Sequence, residues 1–454
     1  MNDLPNGWRR VALAGLGEWY GGGTPSKSQP EFWTGGSVPW LSPKDMGAEV
    51  LQSTQDLITE AAIVGSAVRR IPAGSVALVV RSGILERTLP IAVVPFAVTL
   101  NQDMKAVVPR PDIDARWIAW GLRNQERELL RRCRKGGTTV ASIETSRLLE
   151  QELPVPPLRE QRRIVEVLED HLSRLEAADS GLRDAERRLS GLRAGLLATG
   201  LRGGLVEDDL REGSGHDLLN RCDGDDVVFA ATKHDKVWAI PESWAWVRIG
   251  DVFPVFIGAT PSRADASLWG TELPWLSSGE VAFNRISTTK ESIRRSAAGN
   301  PDTRIHPPGT VMLAMIGEGK TRGQVAILDI EAAHNQNCAS IRVAGTGVLP
   351  EYLFAFFQER YLETRRAASG GNQPALNKAV VRNIAIPIPP LGTQRRLVER
   401  FVAASESEAR LRRDLDHARR RATGLRQALL SAAFAGRLSG PTNDDSLEKA
   451  LASV

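Results

Sequence analysis

Short apolar runs bounded by Gly and Pro recur in two stretches of the chain, Val76–Val80 and Ile91–Val94 in the first, Val311–Ile316 and Val325–Ile330 in the second. Runs of this length between turn formers predict buried strands. The segment Leu89–Leu100, broken by Pro95, predicts a buried strand pair and is too short to span a bilayer. Short helices are predicted over Ala115–Arg134 and Pro350–Ala367. After Pro157 and again after Pro390 the pattern changes, and about forty residues follow without a proline.

Those two stretches carry heptads. In the first, Leu168, Leu175, Leu182, Leu189 and Leu196 recur every seven residues, with a companion row at Ile164, His171, Ala178, Ala185 and Leu192. In the second, Phe401, Leu415 and Leu429 form one row, broken by Glu408, and Leu397, Ala404, Leu411, Ala418 and Leu425 form the other. Sustained seven-residue spacing predicts long coiled-coil helices, and forty residues make a rod of roughly 60 Å. One reading of such helices is a zipper between chains. The alternative is that two equivalent helices in one chain pair with each other, antiparallel, about a pseudo-twofold axis.

The second reading gains weight because the chain is written twice. Pro5 to Trp8 returns as Pro241 to Trp244, and Gly23-Thr24-Pro25-Ser26 as Ala259-Thr260-Pro261-Ser262. Trp33 matches Trp269, and Pro39-Trp40-Leu41-Ser42 matches Pro274-Trp275-Leu276-Ser277. Pro72 to Val76 parallels Pro308 to Val311, Asn101-Gln102 parallels Asn335-Gln336, and Gly136-Gly137 parallels Gly370-Gly371. Each copy closes on a proline-rich turn, at Pro154–Leu158 and Pro387–Leu391. The expected organisation is a globular domain over 1–157, a long helix over 158–200 and a polar acidic linker over 201–238. A second globular domain over 239–390, a second helix over 391–436 and a tail over 437–454 complete it.

Composition adds a little. A chain of 454 residues with 42% hydrophobic content suits several folded domains. The net charge of +4 is unevenly placed, since Gly203–Lys236 carries −5 and the rest +9. Arginines number 48 against ten lysines, which suits guanine and phosphate contacts and equally suits a biased genome. Cys133, Cys222 and Cys338 lie far apart, which predicts neither a disulfide framework nor a metal site. The start of the chain lacks the apolar run of a signal peptide, so a cytoplasmic protein is expected.

Catalytic patterns fall short. Met312–Thr321 ends in Gly319-Lys320-Thr321 like a phosphate-binding loop, but Ala314 stands where the first glycine is needed. Gly323–Ile330 reads as a strand where a helix is needed. Pro301-Asp302 with Glu318-Gly319-Lys320 fits a loose nuclease pattern that the first copy lacks. The histidines show no metal-ligand spacing.

Two globular domains alternating with two long helices resemble the specificity subunits of Type I restriction–modification systems. The residues that carry the resemblance are Pro5 to Trp8, Gly23-Thr24-Pro25-Ser26, Pro39-Trp40-Leu41, Pro154 to Leu158 and Glu160-Gln161, with Pro389-Pro390-Leu391 closing the second copy. There Thr393-Gln394 departs from the usual Glu-Gln pair. The resemblance implies an α+β fold class: two mixed α/β target-recognition domains joined by two long antiparallel coiled-coil helices. It implies a non-catalytic subunit that reads a bipartite, asymmetric site on double-stranded DNA. Its partners would be two methyltransferase and two restriction subunits, and the cofactors S-adenosylmethionine, ATP and Mg2+ would be held by those partners. A repeated DNA-binding module of another defence or methylation system, or a structural coiled-coil adaptor, stays open.

Candidate DNA contacts lie in polar and Gly-rich loops: Lys27, Arg81, Arg87, Asn101, Gln102 and Thr138 in the first copy, and Arg263, Lys320, Arg322, Asn335, Gln336, Asn372 and Gln373 in the second. Asn and Gln read adenine edges, Arg and Lys read guanine, and hydroxyls contact phosphate. Readers of different sequences should differ at base-contacting positions. The shared Asn-Gln pairs therefore favour a structural or phosphate role over base reading.

Overall fold

The computed structural model describes residues 4–135, 140–223, 238–317, 319–366 and 375–438. They fall into two compact units, Met1–Arg183 with Asp416–Val454, and Asp184–Leu415. Each unit holds one copy of the repeat, and both long helices contribute a segment to each.

In the first unit a four-stranded antiparallel sheet runs in the order Gly17–Gly21, Met104–Pro109, Ser75–Val79, Ile91–Val94. A smaller sheet has Val38–Leu41 at its centre, antiparallel to Asp56–Ile58 and parallel to Thr99–Leu100. The expected strand pair within Leu89–Leu100 is thus two strands in two different sheets, because Pro95 donates no hydrogen bond and lets the chain turn from one to the other.

The second unit repeats both sheets in matching register. Val255–Ile257, Cys338–Ile341, Val311–Ala314 and Val325–Leu328 form the larger one, extended by Asn284–Ile286. Glu291–Ile293, Trp269–Leu276 and Ala333–His334 form the smaller. The added strand pairs parallel with Val325–Leu328, where the first unit has the single bridge Val50 to Val93.

The expected single helices are each two. Ala115–Asn124 stops at Gln125 and Glu126–Cys133 follows, while Pro350–Glu359 and Tyr361–Arg366 meet at Arg360. Ala115–Asn124 is buried on two sides. Ile118, Ala119 and Leu122 face the sheet, while Trp117 and Trp120 join Ile164, Leu168, Leu429 and Phe434 of the long helices.

The long helices run Leu158–Gly200 and Leu391–Phe434. Contacts in each unit make them antiparallel. In the first unit Arg163 donates to the Leu438 carbonyl and Arg426 pairs with Glu176. In the second, Arg193 pairs with Glu408 and Arg412 donates to Ser190. One heptad row of the first long helix is buried or half-buried throughout, at Leu168, Leu175, Leu182, Leu189 and Leu196. The companion row of neither helix stays covered: Ala178, Ala185 and Ala418 are exposed, and Leu192 and Leu411 are 71% and 49% exposed.

The linker also differs from the expected flexible loop over the part described. Asp208 accepts from the Ser243 hydroxyl, the Trp244 indole and the Thr393 hydroxyl. Glu212 pairs with Arg396, Gly215–Asp223 is helical, and Leu219 is buried. Asp208 and Glu212, read from the sequence as part of a polar linker, are thus engaged as hydrogen-bond acceptors on the second unit.

Candidate nucleic-acid interface

Each unit carries one loop frame, built from the same parts. In the first, Gly22 lets the backbone lie against the Asn101 carbonyl, where an added Cβ would sit 1.8 Å from that oxygen. Asn101 is buried, and its side chain accepts from the Asp103 amide at 2.8 Å, a turn-closing bond. The Thr24 hydroxyl donates to Gln102. In the second, Gly258 stands where a Cβ would be 1.9 Å from the His334 carbonyl, Asn335 accepts from the Asn337 amide at 3.1 Å, and Thr260 donates to Gln336 at 2.6 Å.

The tryptophans brace the same loops. The Trp33 and Trp40 indoles donate to the Ser26 and Gly23 carbonyls, and those of Trp269 and Trp275 to Ser262 and Ala259. Both pairs meet edge to face, with centroids 5.2 Å apart. Ser42 with Asp45, and Ser277 with Glu280, form matching capping boxes beside them.

This frame places the candidate residues. Asn101, Gln102, Asn335 and Gln336 are tied into the loop frame by these bonds. Arg81 adjoins them through Asp103, at 2.5 Å. Lys27 and Lys320 are exposed on turns, and Arg87 is exposed at the end of the turn Gly83–Glu86. The Arg322 backbone accepts from Arg365 at 3.0 Å, and Gly323 behind it lies against Tyr361 and Arg365. After Gly319-Lys320-Thr321 the chain turns into strand Val325–Leu328 and not into a helix. Thr138, Asn372 and Gln373 lie outside the described residues, as does Glu318.

Sequence reasoning missed two features. Arg263 holds Glu291 with both terminal nitrogens, one at 2.8 Å, and lies 3.9 Å over the Trp269 ring. Glu291 is pulled below the usual carboxylate range by that guanidinium. The duplicated tryptophans were a signal for this shelf, but Glu291 is 28 residues away from Arg263 and only strand pairing brings it near.

The second feature is buried. The Nε2 atoms of His306 and His334 meet at 3.2 Å, the Ser340 hydroxyl is 3.1 Å from His306, and Arg342 donates to His306 Nδ1 at 3.1 Å. Burial, with His334, Arg342 and Arg304 nearby, pushes His306 down to about 2. Burial pushes His334 down to about 4.

Among the described residues, no group of three or more His, Cys, Asp or Glu is placed to hold a metal ion, and no helix is long and apolar enough to cross a membrane.

Each unit thus carries one copy of the same α/β loop frame together with segments of both long helices. Residues 5–180 and 241–411 match the Type I restriction modification DNA specificity domain, and the chain belongs to that family. The specificity subunit of the Type I restriction enzyme EcoR124I/EcoR124II of Escherichia coli is 46% identical over 177 residues, which are 39% of this chain and 44% of that protein. The MjaIX specificity subunit of Methanocaldococcus jannaschii is 20% identical over 396 residues, 86% of this chain and 85% of that one. The chain thus matches less than half the length of the first relative and most of the second.

Two solved structures share the fold. One comes from work on complex assembly and conformational transition of the type I R-M system, with TM-score 0.72, 19% identity, and coverage of 96% of this chain and 100% of that one. The other is the HsdS subunit from Thermoanaerobacter tengcongensis, with TM-score 0.58, 20% identity, and coverage of 96% and 98%.

Proposed function

We propose that this chain reads a bipartite, asymmetric sequence on double-stranded DNA for a Type I restriction–modification complex, one half-site by each repeat. It recruits two methyltransferase subunits, which hold S-adenosylmethionine, and two restriction subunits, which hold ATP and Mg2+. The observation that carries the reading is the contrast within each loop frame. The glycine, Asn-Gln and Trp-Trp parts are the same in both repeats, whereas the exposed charged residues set on them differ. Two readers of unlike half-sites need that division, because shared parts hold the loop and unlike parts select bases.

Lys27, Arg81, Arg87, Arg263, Lys320 and Arg322 are the charged contacts in this reading, and Thr138, Asn372 and Gln373 join them on sequence grounds alone. Gln102 and Gln336 serve the loop itself, since Thr24 and Thr260 already engage their side-chain oxygens. Methylome sequencing of cells carrying the chain with its genetic neighbours tests the proposal. The expected result is methylated adenine in one bipartite, non-palindromic motif that disappears when this chain alone is deleted. Methylation that persists without the chain, or a palindromic motif, overturns it.

A further inference from the structure

The two loop frames distribute their charges differently, and the difference follows from one residue. Register places Asp56 opposite Trp40 and Glu291 opposite Trp275, so these two acids occupy matching positions. In the first repeat Lys44 takes Asp56 at 2.7 Å. The residue matching Lys44 is Gly279, which offers no cation. Glu291 is left for Arg263, and takes it with both oxygens. Lys27, which matches Arg263, is exposed and meets no partner among the described residues.

The guanidinium of Arg263 is thereby fixed on two sides. One end is forked on Glu291 and one face lies on Trp269, with Trp275 behind at 5.3 Å. Of its five N–H donors two serve Glu291, and the side chain remains 57% exposed. Of the three donors left, Nε–H and the adjacent Nη2–H lie side by side in a plane whose orientation is already set, and that edge fits a planar acceptor pair. The O6 and N7 edge of guanine is such a pair, and a fixed Arg meets it without losing rotamer freedom on binding. A mobile lysine makes a point-charge contact that suits phosphate.

We infer that Glu291 and the Trp269–Trp275 pair are positioning residues that set Arg263 to read one guanine, while Lys27 at the matching place contacts the phosphate backbone. The inference rests on the DNA-reading function proposed above. It is tested by methylome sequencing of the whole complex, scoring base preference position by position. Glu291→Gln and Arg263→Lys should each lower guanine preference at one position of one half-site by about tenfold, with every other position unchanged. A converse variant, Lys27→Arg with Lys44→Gly and Asp56→Glu, should add guanine preference at one position of the other half-site. It decides the matter even if Glu291→Gln fails to assemble. Unchanged preference in these variants, or a uniform loss across all positions, overturns the inference. Absence of any bipartite motif with the natural chain would instead overturn the DNA-reading function itself.

Discussion

At the strand bridge where the first repeat joins Ile71 to Val98, the second joins His306 to Ala332. Where Leu41 lies beside Leu100, Leu276 lies beside His334, and where Ala77 faces Ala106, Met312 faces Ser340. The backbone is the same, but an apolar filling has been replaced by a hydrogen-bonded polar one completed by Arg342. A polar group can be buried at little net cost only if its bonds are made. The second repeat makes them as a set, so its core depends on every member staying in one protonation state. The frame tolerates either filling because the strand pairing and the Trp, Asn and Thr bonds that hold the loops are the same in both repeats.

The largest expected effect that tests this contrast is on pH. Both histidines stay neutral when folded, with values depressed to about 2 and about 4, whereas unfolded they take up protons near 6.5. Depressed folded values mean that the stability contribution is complete above pH 6.5 and is lost as pH falls. At pH 5 each histidine costs about 2 kcal/mol, about 4 kcal/mol for the pair. Segment-resolved hydrogen exchange at pH 7.5 and 5 should show the second repeat losing protection and the first changing far less. His306→Ile with His334→Leu, the first repeat's residues, should level the two. Equal losses in both repeats of the natural chain would sink the idea.

The shared part of the comparison makes the next prediction. Gly22→Ala and Gly258→Ala each drive a Cβ into a backbone carbonyl, at 1.8 and 1.9 Å, and neither oxygen can move without breaking its loop. Each should cost its own repeat about 3 kcal/mol, measured by denaturant unfolding with exchange to locate the loss. If one glycine is replaced freely and the other not, the frames are not equivalent.

A difference within the shared part comes third. Gln161, at the start of the first long helix, accepts from the Asp114 amide and donates to the Pro156 and Asp112 carbonyls. Gln394 accepts from Leu349 and donates to Pro389. Both side chains are buried. Gln161→Ala should therefore destabilise by about 2 kcal/mol and Gln394→Ala by somewhat less, since each orphans buried backbone groups. A larger loss at Gln394 would mean that its neighbours have no other support.

Much of this is legible in the sequence alone. Heptads mark both long helices because a long helix shows its period, and the repeat is readable because residues such as Thr24, Pro25 and Trp33 have local jobs, whereas Gly22 shows its part only in the fold. What stayed hidden depends on tertiary neighbours. Leu192 and Leu411 have seam spacing, yet spacing cannot tell how wide a face the partner helix covers. Asp208 and Glu212 read as linker because nothing local announces that Thr393 and Arg396 will bind them. The Arg263 latch needed strand register to find Glu291. At the candidate interface, residue type and loop position picked Arg263 and Lys27 equally, and only the fold separated one held in place from one left exposed.

The smallest effect concerns Glu408, the acid that interrupts the heptad row. The matching position of the first long helix is Leu175, which is partly buried in an apolar cluster. Glu408 is 7% exposed and pairs with Arg193 of the first long helix at 3.0 Å and Arg412 of its own at 2.8 Å. Arg193 also reaches Gln358. Burying a carboxylate costs nearly what such pairs return, so replacing it with a well-packed apolar side chain is close to neutral. Glu408→Leu, the first repeat's residue, should shift unfolding by less than about 1 kcal/mol in either direction. Arg193→Ala should cost more, because it leaves the acid buried with Arg412 as its remaining cation. A cycle of these two variants and their combination gives the coupling directly. If Glu408→Leu instead destabilises strongly, the ion pair is what holds the second unit's helix segments together, and the two ends of the long helices are built on different principles.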